Sequence, residues 1–245
     1  MIDTVTRHYE TLLAEHYTWM FGVPFSAKVD EQREALTGLG VRPGEHGTAI
    51  DLGSGPGFQS IALAELGFDR VVAIDTSQAL LHELSAHKGD LPIETVLDDL
   101  RAFDRFTSPG SAEAIVCMGD TLTHLESTAD VSNVLEKARD ALRPGGLLFL
   151  TFRDLSVELT GLDRFLPIRA DADRIMICML EYQPEAVVVN DLVHVREAKG
   201  WTLRKSSYRK LRLRPAALAD ELRNLGLTIK RNEPLGRMHA IVAER

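Results

Sequence analysis

Short runs of apolar residues alternate with longer amphipathic segments through the middle of the chain. The apolar runs contain few polar residues, which is typical of parallel strands covered on both faces, and the segments between them have helical spacing. This alternation predicts a doubly wound α/β fold with a mostly parallel sheet of seven strands. The predicted strands fall in residues 48–53, 71–75, 93–99, 113–120, 147–152, 227–232 and 238–245, and the predicted helices in residues 55–67, 77–89, 129–142 and 215–226.

Two segments depart from this alternation. Residues 1–46 have apolar and aromatic positions near helical spacing, and we expect them to form a helical cap over the sheet edge. Residues 174–214 contain three long β-like runs joined by short turns, which predicts an inserted antiparallel segment of three strands. The expected units are the cap (1–46), the α/β core (47–153), the segment with the insertion on the substrate side (154–214), and a C-terminal helix and strand pair that completes the core (215–245).

Composition narrows the classes of function. The chain has 245 residues and a net charge of −8, which argues against a nucleic-acid partner. The stretch 196–214 is basic, and its last part, residues 208–214, alternates charged with apolar side chains and is better explained as a strand with one solvated face. Neither a membrane-spanning run nor a secretory signal is evident, and Cys117 and Cys178 lie in apolar runs, so we expect a cytoplasmic protein with buried thiols. Homo-oligomerisation is left open.

A glycine-rich loop follows the first predicted strand and carries most of the chemical information. Gly53, Gly55 and Gly57 alternate with other residues, and Phe58 stands where a dinucleotide-binding fingerprint has its third glycine. No Lys-Ser/Thr pair follows, which excludes a P-loop. Asp51 precedes the loop and disfavours a pyrophosphate, whereas Asp75, at the end of the next strand, is placed to accept ribose hydroxyls. The loop therefore predicts a cationic nucleoside ligand.

With these motifs, residues 48–153 resemble the class I S-adenosylmethionine-dependent methyltransferases, which have a Rossmann-like fold. The resemblance implies S-adenosyl-L-methionine as cofactor and no metal. It implies that Asp75 holds the ribose and that Asp98 or Asp99 reaches the adenine; the run Asp99-Leu100-Arg101 favours Asp99. The cofactor-binding residues expected from the resemblance are Asp51, Gly53, Ser54, Gly55, Gly57, Asp75, Thr76, Asp98, Asp99, Leu100, Met118 and Gly119.

A finer resemblance is to the glycine/sarcosine N-methyltransferase group. It is carried by residues 119–125, by Arg153-Asp154, and by the late β-like runs that contain Tyr208. It implies that Arg153 clamps the carboxylate of an amino-acid acceptor. The sequence departs from the group at Asp120-Thr121-Leu122, where the group has Asn-Ser-Phe, and this adds an acid near the acceptor.

These assignments predict methyl transfer to a small metabolite, at the amine nitrogen of an amino-acid-like acceptor. If a general base is used, Asp120 and His124 are the candidates. We expect Tyr9, Tyr17 or Trp19 to contact a ligand, because aromatic faces attract methylated cations, and we assign Arg153 and Tyr208 to acceptor binding. The alternatives are O-methylation of a small carboxylic acid or phenol, and a non-catalytic S-adenosylmethionine-binding protein. Phe58 disfavours a nicotinamide oxidoreductase.

Overall fold

The computed structural model describes residues 4–44 and 46–245, in which the strands form two sheets. The larger sheet has seven strands in the order β10-β11-β5-β4-β1-β2-β3. Strands β1 to β5 run parallel, β11 is antiparallel to β5, and β10 is antiparallel to β11. The strands are β1 (His46–Leu52), β2 (Phe68–Asp75), β3 (Ile93–Leu97), β4 (Ala112–Cys117), β5 (Leu142–Phe152), β10 (Thr228–Leu235) and β11 (Met238–Glu244).

This architecture confirms the predicted doubly wound, mostly parallel sheet of seven strands. Helices cover both of its faces, since alternate residues of the central strands enter two different cores. Ile50 and Leu52 of β1 contribute to one core, whereas Ala49 contributes to the other. The main helices are α3 (Phe25–Leu39), α4 (Phe58–Glu65), α5 (Gln78–His87), α6 (Thr128–Ala141) and α7 (Pro215–Asn224).

The order of the strands locates the functional edge. Strand β1 lies between β2 and β4. The connections that follow β1 and β3 therefore lie on opposite faces of the sheet, and a crevice opens between them at the carboxyl ends of the strands. In doubly wound folds ligands bind at such a switch point. The glycine-rich loop leaves β1 at this position. Ser77 caps α5 there, because its side chain accepts a hydrogen bond from the backbone of Leu80.

The second sheet confirms the three strands predicted in residues 174–214 and adds a fourth that was not predicted. Its order is β6-β7-β8-β9, all antiparallel. The additional strand, β6, contains Pro167, which cannot donate a ladder hydrogen bond and therefore suits an edge strand. The four strands are β6 (Phe165–Ala170), β7 (Arg174–Tyr182), β8 (Ala186–Glu197) and β9 (Gly200–Leu211).

The N-terminal segment lies over the carboxyl edge of the large sheet and against the second sheet. It is a broken helix: α1 (Thr4–His8), a π-helical turn (Tyr9–Leu13), a 3₁₀ turn (Ala14–His16) and α2 (Tyr17–Met20). Its Leu12 and Leu13 share a core with Met176 and Val193 of the second sheet. The expected helical cap also included residues 1–3 and 45, which lie outside the described residues.

The described residues contain neither a candidate membrane-spanning helix nor a candidate metal site. Among residues 4–44 and 46–245, no helix combines the length and the apolarity required to cross a bilayer. The same residues bring together no group of three histidine, cysteine or acidic side chains suited to a metal ion. Both cysteines, Cys117 and Cys178, are buried free thiols.

Candidate functional site

The loop after β1 depends on glycine at Gly53 and Gly57. Both have positive φ angles, +72° and +92°, which side-chain-bearing residues rarely adopt. A Cβ atom on Gly53 would lie 2.2 Å from Cγ2 of Thr121, and one on Gly57 would lie 2.1 Å from Cδ1 of Leu84. The loop can therefore pass close to its neighbours only without side chains, and Gly53 and Gly55 then line a narrow cleft at the sheet edge.

Asp75 ends β2 beside this narrow cleft. Its carboxylate accepts hydrogen bonds from the backbone N–H groups of Gly55 at 2.8 Å and Ser77 at 2.7 Å. Burial raises the pKa of Asp75, and these backbone donors oppose that rise. Thr76 also lines the cleft, and the hydroxyl of Thr6 lies 3.4 Å from its hydroxyl, which links the N-terminal segment to the cleft.

Asp98 and Asp99 line the narrow cleft next to Asp75, together with Leu100. Each carboxylate has a cationic partner: Asp98 pairs with Arg105, and Asp99 accepts a 2.6 Å hydrogen bond from Arg101. Burial alone would raise the pKa of Asp99, but the Arg101 hydrogen bonds lower it overall. Since both acids line the cleft and both are paired, the preference for Asp99 stays a prediction.

Two residues expected to bind the cofactor do not line a cavity. Asp51 lies behind the loop, where its carboxylate accepts a 2.6 Å hydrogen bond from the Ser60 hydroxyl. Burial raises the pKa of Asp51 to about 7 against the effect of that hydrogen bond. Gly57 lies beneath the loop against Leu84. Both positions shape the loop from behind, and their contact with the cofactor stays a prediction.

A large cavity of about 920 Å³ opens from the narrow cleft, between the loop, the N-terminal segment and the second sheet. Ser54, Met118 and Gly119 line it near the loop. The hydroxyl of Ser54 is buried and has no hydrogen-bond partner within the part of the chain that the structure describes. A buried polar atom without a partner is costly, and this one marks a place where a ligand could supply the missing hydrogen bond.

Three charged side chains meet at one side of the large cavity. The Lys210 ammonium donates a 2.7 Å hydrogen bond to Oδ2 of Asp120, and Nε of Arg153 lies 3.1 Å from the same oxygen. The backbone N–H of Arg153 donates to Oδ1 of Asp120 at 2.7 Å. We call these three residues the charged cluster. Two cations against one carboxylate leave the cluster a net positive charge, and the Arg153 side chain is 42% exposed.

The charged cluster gives Asp120 a role other than the predicted general base. Burial alone would raise the pKa of its carboxyl, but the nearby charges of Lys210 and Arg153 and their hydrogen bonds lower it to about 2. A carboxylate held this firmly in its ionised form is a poor proton acceptor. Asp120 instead fixes the two cations beside the cavity.

His124 lies where the narrow cleft and the large cavity join, since it lines both. The rings of Tyr9 and Tyr208 stand at steep angles to the imidazole, with centroids 6.0 and 5.4 Å away. Burial and the Lys210 charge lower the pKa of His124 to about 3, so the imidazole is neutral at physiological pH. Its Nε2 is buried without a partner among the described residues. A weak base of this kind is better suited to holding a reacting group by a hydrogen bond than to storing a proton.

The structure separates the aromatic candidates. Tyr9 and Tyr17 line both the narrow cleft and the large cavity, and Tyr208 lines the large cavity. Trp19 lines neither: its ring nitrogen donates a 2.5 Å hydrogen bond to Asp171, and the guanidinium of Arg174 lies 4.4 Å from the ring centre. The expectation that Trp19 contacts a ligand is therefore corrected, because this side chain is held against the turn between β6 and β7.

Sequence reasoning missed two groups in the large cavity, Lys210 and Asp191. Lys210 lies two positions from Tyr208 on β9, and residues two apart in a strand share a face, so the assignment of Tyr208 carried the signal. Asp191 interrupts an apolar run on β8 and is buried, with its carboxylate 3.0 Å from Nε2 of buried His8. An acidic residue at an inward-facing position of the strand was the sequence signal that could have identified Asp191.

The comparisons with known proteins agree with this geometry. Residues 49–146 match a family model described as a methyltransferase domain. A glycine/sarcosine N-methyltransferase of Parasynechococcus marenigrum (strain WH8102) is 30% identical over 162 residues, covering 64% of this chain and 56% of the relative. A glycine/sarcosine N-methyltransferase of Aphanothece halophytica is 34% identical over 119 residues, covering 47% and 44%. The chain thus spans about half the length of the curated relatives it matches.

Solved structures show the likeness of fold. The S-adenosylmethionine-bound structure of an amino pentose methyltransferase from Micromonospora echinaspora superposes with a TM-score of 0.73 at 16% identity. The similarity covers 94% of this chain and 95% of that one.

Proposed function

We propose that the chain is a class I S-adenosylmethionine-dependent methyltransferase, and that it methylates the amine nitrogen of a small amino-acid-like acceptor; the methyltransferase-domain match over residues 49–146 and the N-methyltransferase relatives support this. One observation carries the proposal. A narrow cleft with Asp75 at its edge opens, at His124, into a large cavity with a net positive charged cluster. This arrangement suits two ligands that meet end to end.

The residues present fit the donor, S-adenosylmethionine. The Asp75 carboxylate lines the narrow cleft and retains lone pairs for ribose hydroxyls besides its two backbone hydrogen bonds. The unpartnered hydroxyl of Ser54 and the side-chain-free path of Gly53 leave room for the amino-acid end of the donor. Tyr9 and Tyr17 belong to the N-terminal segment and line both the narrow cleft and the large cavity. They would therefore close over bound ligand.

The charged cluster supports an acceptor with a carboxylate. Asp120 neutralises only one of the two cations beside it, and the exposed part of the Arg153 guanidinium has donors to spare. Arginine binds carboxylates through paired, parallel hydrogen bonds, which fix orientation as well as charge. An amino acid held there by its carboxylate would have its amine close to the junction of the two spaces.

The donor supplies a methyl group on a sulfonium sulfur, an already activated leaving group, so the chain's own residues chiefly align and enclose the reactants. Orientation of this kind is worth roughly 7–11 kcal/mol. An amine must be neutral when it reacts, and the partner-free Nε2 of neutral His124 can hold its N–H in line. The proposal therefore assigns His124 to positioning the acceptor and not to strong base catalysis.

The test measures S-adenosylhomocysteine formation from S-adenosylmethionine with a panel of amino acids, simple amines and carboxylic acids. We expect turnover with amino acids, and an N-methyl product identified by mass spectrometry. His124→Gln should lower kcat by about 10- to 100-fold, as removal of a positioning hydrogen bond does, with S-adenosylhomocysteine affinity unchanged. The exposed His82→Gln is the matched control and should behave as the wild type. A base-labile ester product would contradict N-methylation and favour O-methylation, and no turnover with any acceptor would refute the proposal.

A further inference from the structure

The wall that the second sheet forms in the large cavity is mostly apolar; its buried carboxylate, Asp191, lies opposite Cys178 in the strand register and is paired with His8. Met176, Cys178 and Leu180 occupy alternate positions of β7 and therefore point to one face. Val189 of β8 stands directly across from Leu180 in the strand register. We call these four residues the apolar wall. They are buried by the protein around them, yet they line a cavity of about 920 Å³.

The apolar wall continues into the charged cluster on the same sheet. On β9, Tyr208 pairs in register with Val189, and Lys210 lies two residue pairs further, opposite Val187. The Lys210 ammonium is 5.8 Å from the centre of the Tyr208 ring. A cationic anchor and an apolar surface thus lie side by side, about two residues apart along a strand, a span of roughly 7 Å.

This spacing places constraints on the acceptor. When the carboxylate of a ligand pairs with the charged cluster, the atoms a few bonds away from that carboxylate lie against the apolar wall. In an α-amino acid this is the side chain. Apolar surface removed from water on binding is favourable in proportion to its area, whereas free glycine has no side chain and would leave the wall against water.

We infer that the acceptor is an amino acid with a branched or aromatic apolar side chain, and that the apolar wall selects it. This inference rests on the proposed function, and it departs from the glycine and sarcosine for which the curated relatives are named.

The test is an acceptor series of glycine, alanine, valine, leucine and phenylalanine, with S-adenosylhomocysteine formation as the readout. At about fourfold for each added methylene, kcat/KM should rise by 10-fold or more from glycine to leucine. Leucine amide, which lacks the carboxylate, should lose most of this gain. Equal or better turnover of glycine would overturn the inference while leaving the proposed function intact. Absence of turnover with all acceptors would overturn both.

A variant of the apolar wall makes the assignment specific. Val189→Phe should lower kcat/KM for leucine and phenylalanine by at least 10-fold and change it little for alanine, because the larger ring fills space that the side chain needs. Val188→Phe, on the opposite face of the same strand, is the matched control and should leave the series unchanged. If Val189→Phe does not fold, Val189→Ala should shift the preference toward phenylalanine. Titration with S-adenosylhomocysteine verifies the donor site in each variant. An unaltered preference in folded variants would refute the role of the wall.

Discussion

Asp120→Asn tests the charged cluster at its centre, because Lys210 and Arg153 both converge on this carboxylate. Asparagine preserves the shape of the side chain and removes its charge. It also suits the backbone, since Asp120 has a φ of +81° and asparagine is among the few residues enriched at positive φ. The substitution therefore removes the electrostatic interaction with little change in the turn that precedes His124.

The magnitude follows from the pKa of Asp120. A carboxyl whose pKa falls from 3.8 to about 2 on folding stabilises the native state by about 2 kcal/mol at neutral pH, at 1.36 kcal/mol per pH unit. Asp120 is only 3% exposed, so solvent does not screen the interaction. Because the pKa is lowered by folding, this contribution is complete above about pH 5 and is lost as pH falls through about 4 toward 2.

The assay is urea unfolding of wild type and Asp120→Asn at pH 7 and pH 3. At pH 7 the variant should be less stable by about 2–4 kcal/mol, the upper part of the range reflecting two cations left with no carboxylate. At pH 3 the difference should shrink by about 1 kcal/mol. Asp220→Asn, which removes an exposed carboxylate paired with Arg223, is the control and should cost less than 1 kcal/mol. Equal stability of Asp120→Asn and wild type at pH 7 would refute the reasoning.

Three further predictions concern the loop, the acceptor and the N-terminal segment. Gly57→Ala should lower the free energy of unfolding by about 1–3 kcal/mol, because its Cβ would overlap Leu84 at a φ of +92°; an unchanged melting temperature would contradict this. Arg153→Met should raise the KM of the acceptor by about 10-fold or more, as loss of a charge-assisted hydrogen bond does, without changing S-adenosylhomocysteine affinity; equal loss of both would indicate a structural role. His8→Ala should speed hydrogen exchange in the N-terminal segment by about 10-fold or more, because buried Asp191 loses its 3.0 Å partner; exchange at the wild-type rate would show that the pair does not hold the segment.

The large sheet could be predicted almost completely from sequence, because its local and global signals agree. Uninterrupted apolar runs between helices are compatible with few other folds, and Ser77 and Gly53 lie at the turns where they were predicted. Strand β6 was missed because it is short, contains Pro167, and buries few of its side chains. An edge strand of that kind lacks the periodic burial on which sequence interpretation depends.

The candidate site was predictable wherever motif and topology coincide. Asp75 and Asp99 end or follow neighbouring parallel strands, so their place beside the narrow cleft follows from the strand order. The charged cluster could not be predicted from the sequence. It joins Asp120 to Lys210, which is ninety positions later in the sequence and lies in the second sheet. Trp19 shows the reverse error: it was grouped with Tyr17, but residues two apart in a helix do not share a face, and Trp19 points toward Asp171.

The most direct test of the central claim is calorimetric titration of wild type and Asp75→Ala with S-adenosylhomocysteine, with nicotinamide adenine dinucleotide as the comparison ligand. We predict saturable binding of S-adenosylhomocysteine to the wild type, binding weakened in the folded variant by about 1–3 kcal/mol, or roughly 5- to 150-fold, and no binding of the dinucleotide. Binding of S-adenosylhomocysteine that is absent, or that is the same in wild type and Asp75→Ala, would contradict the account.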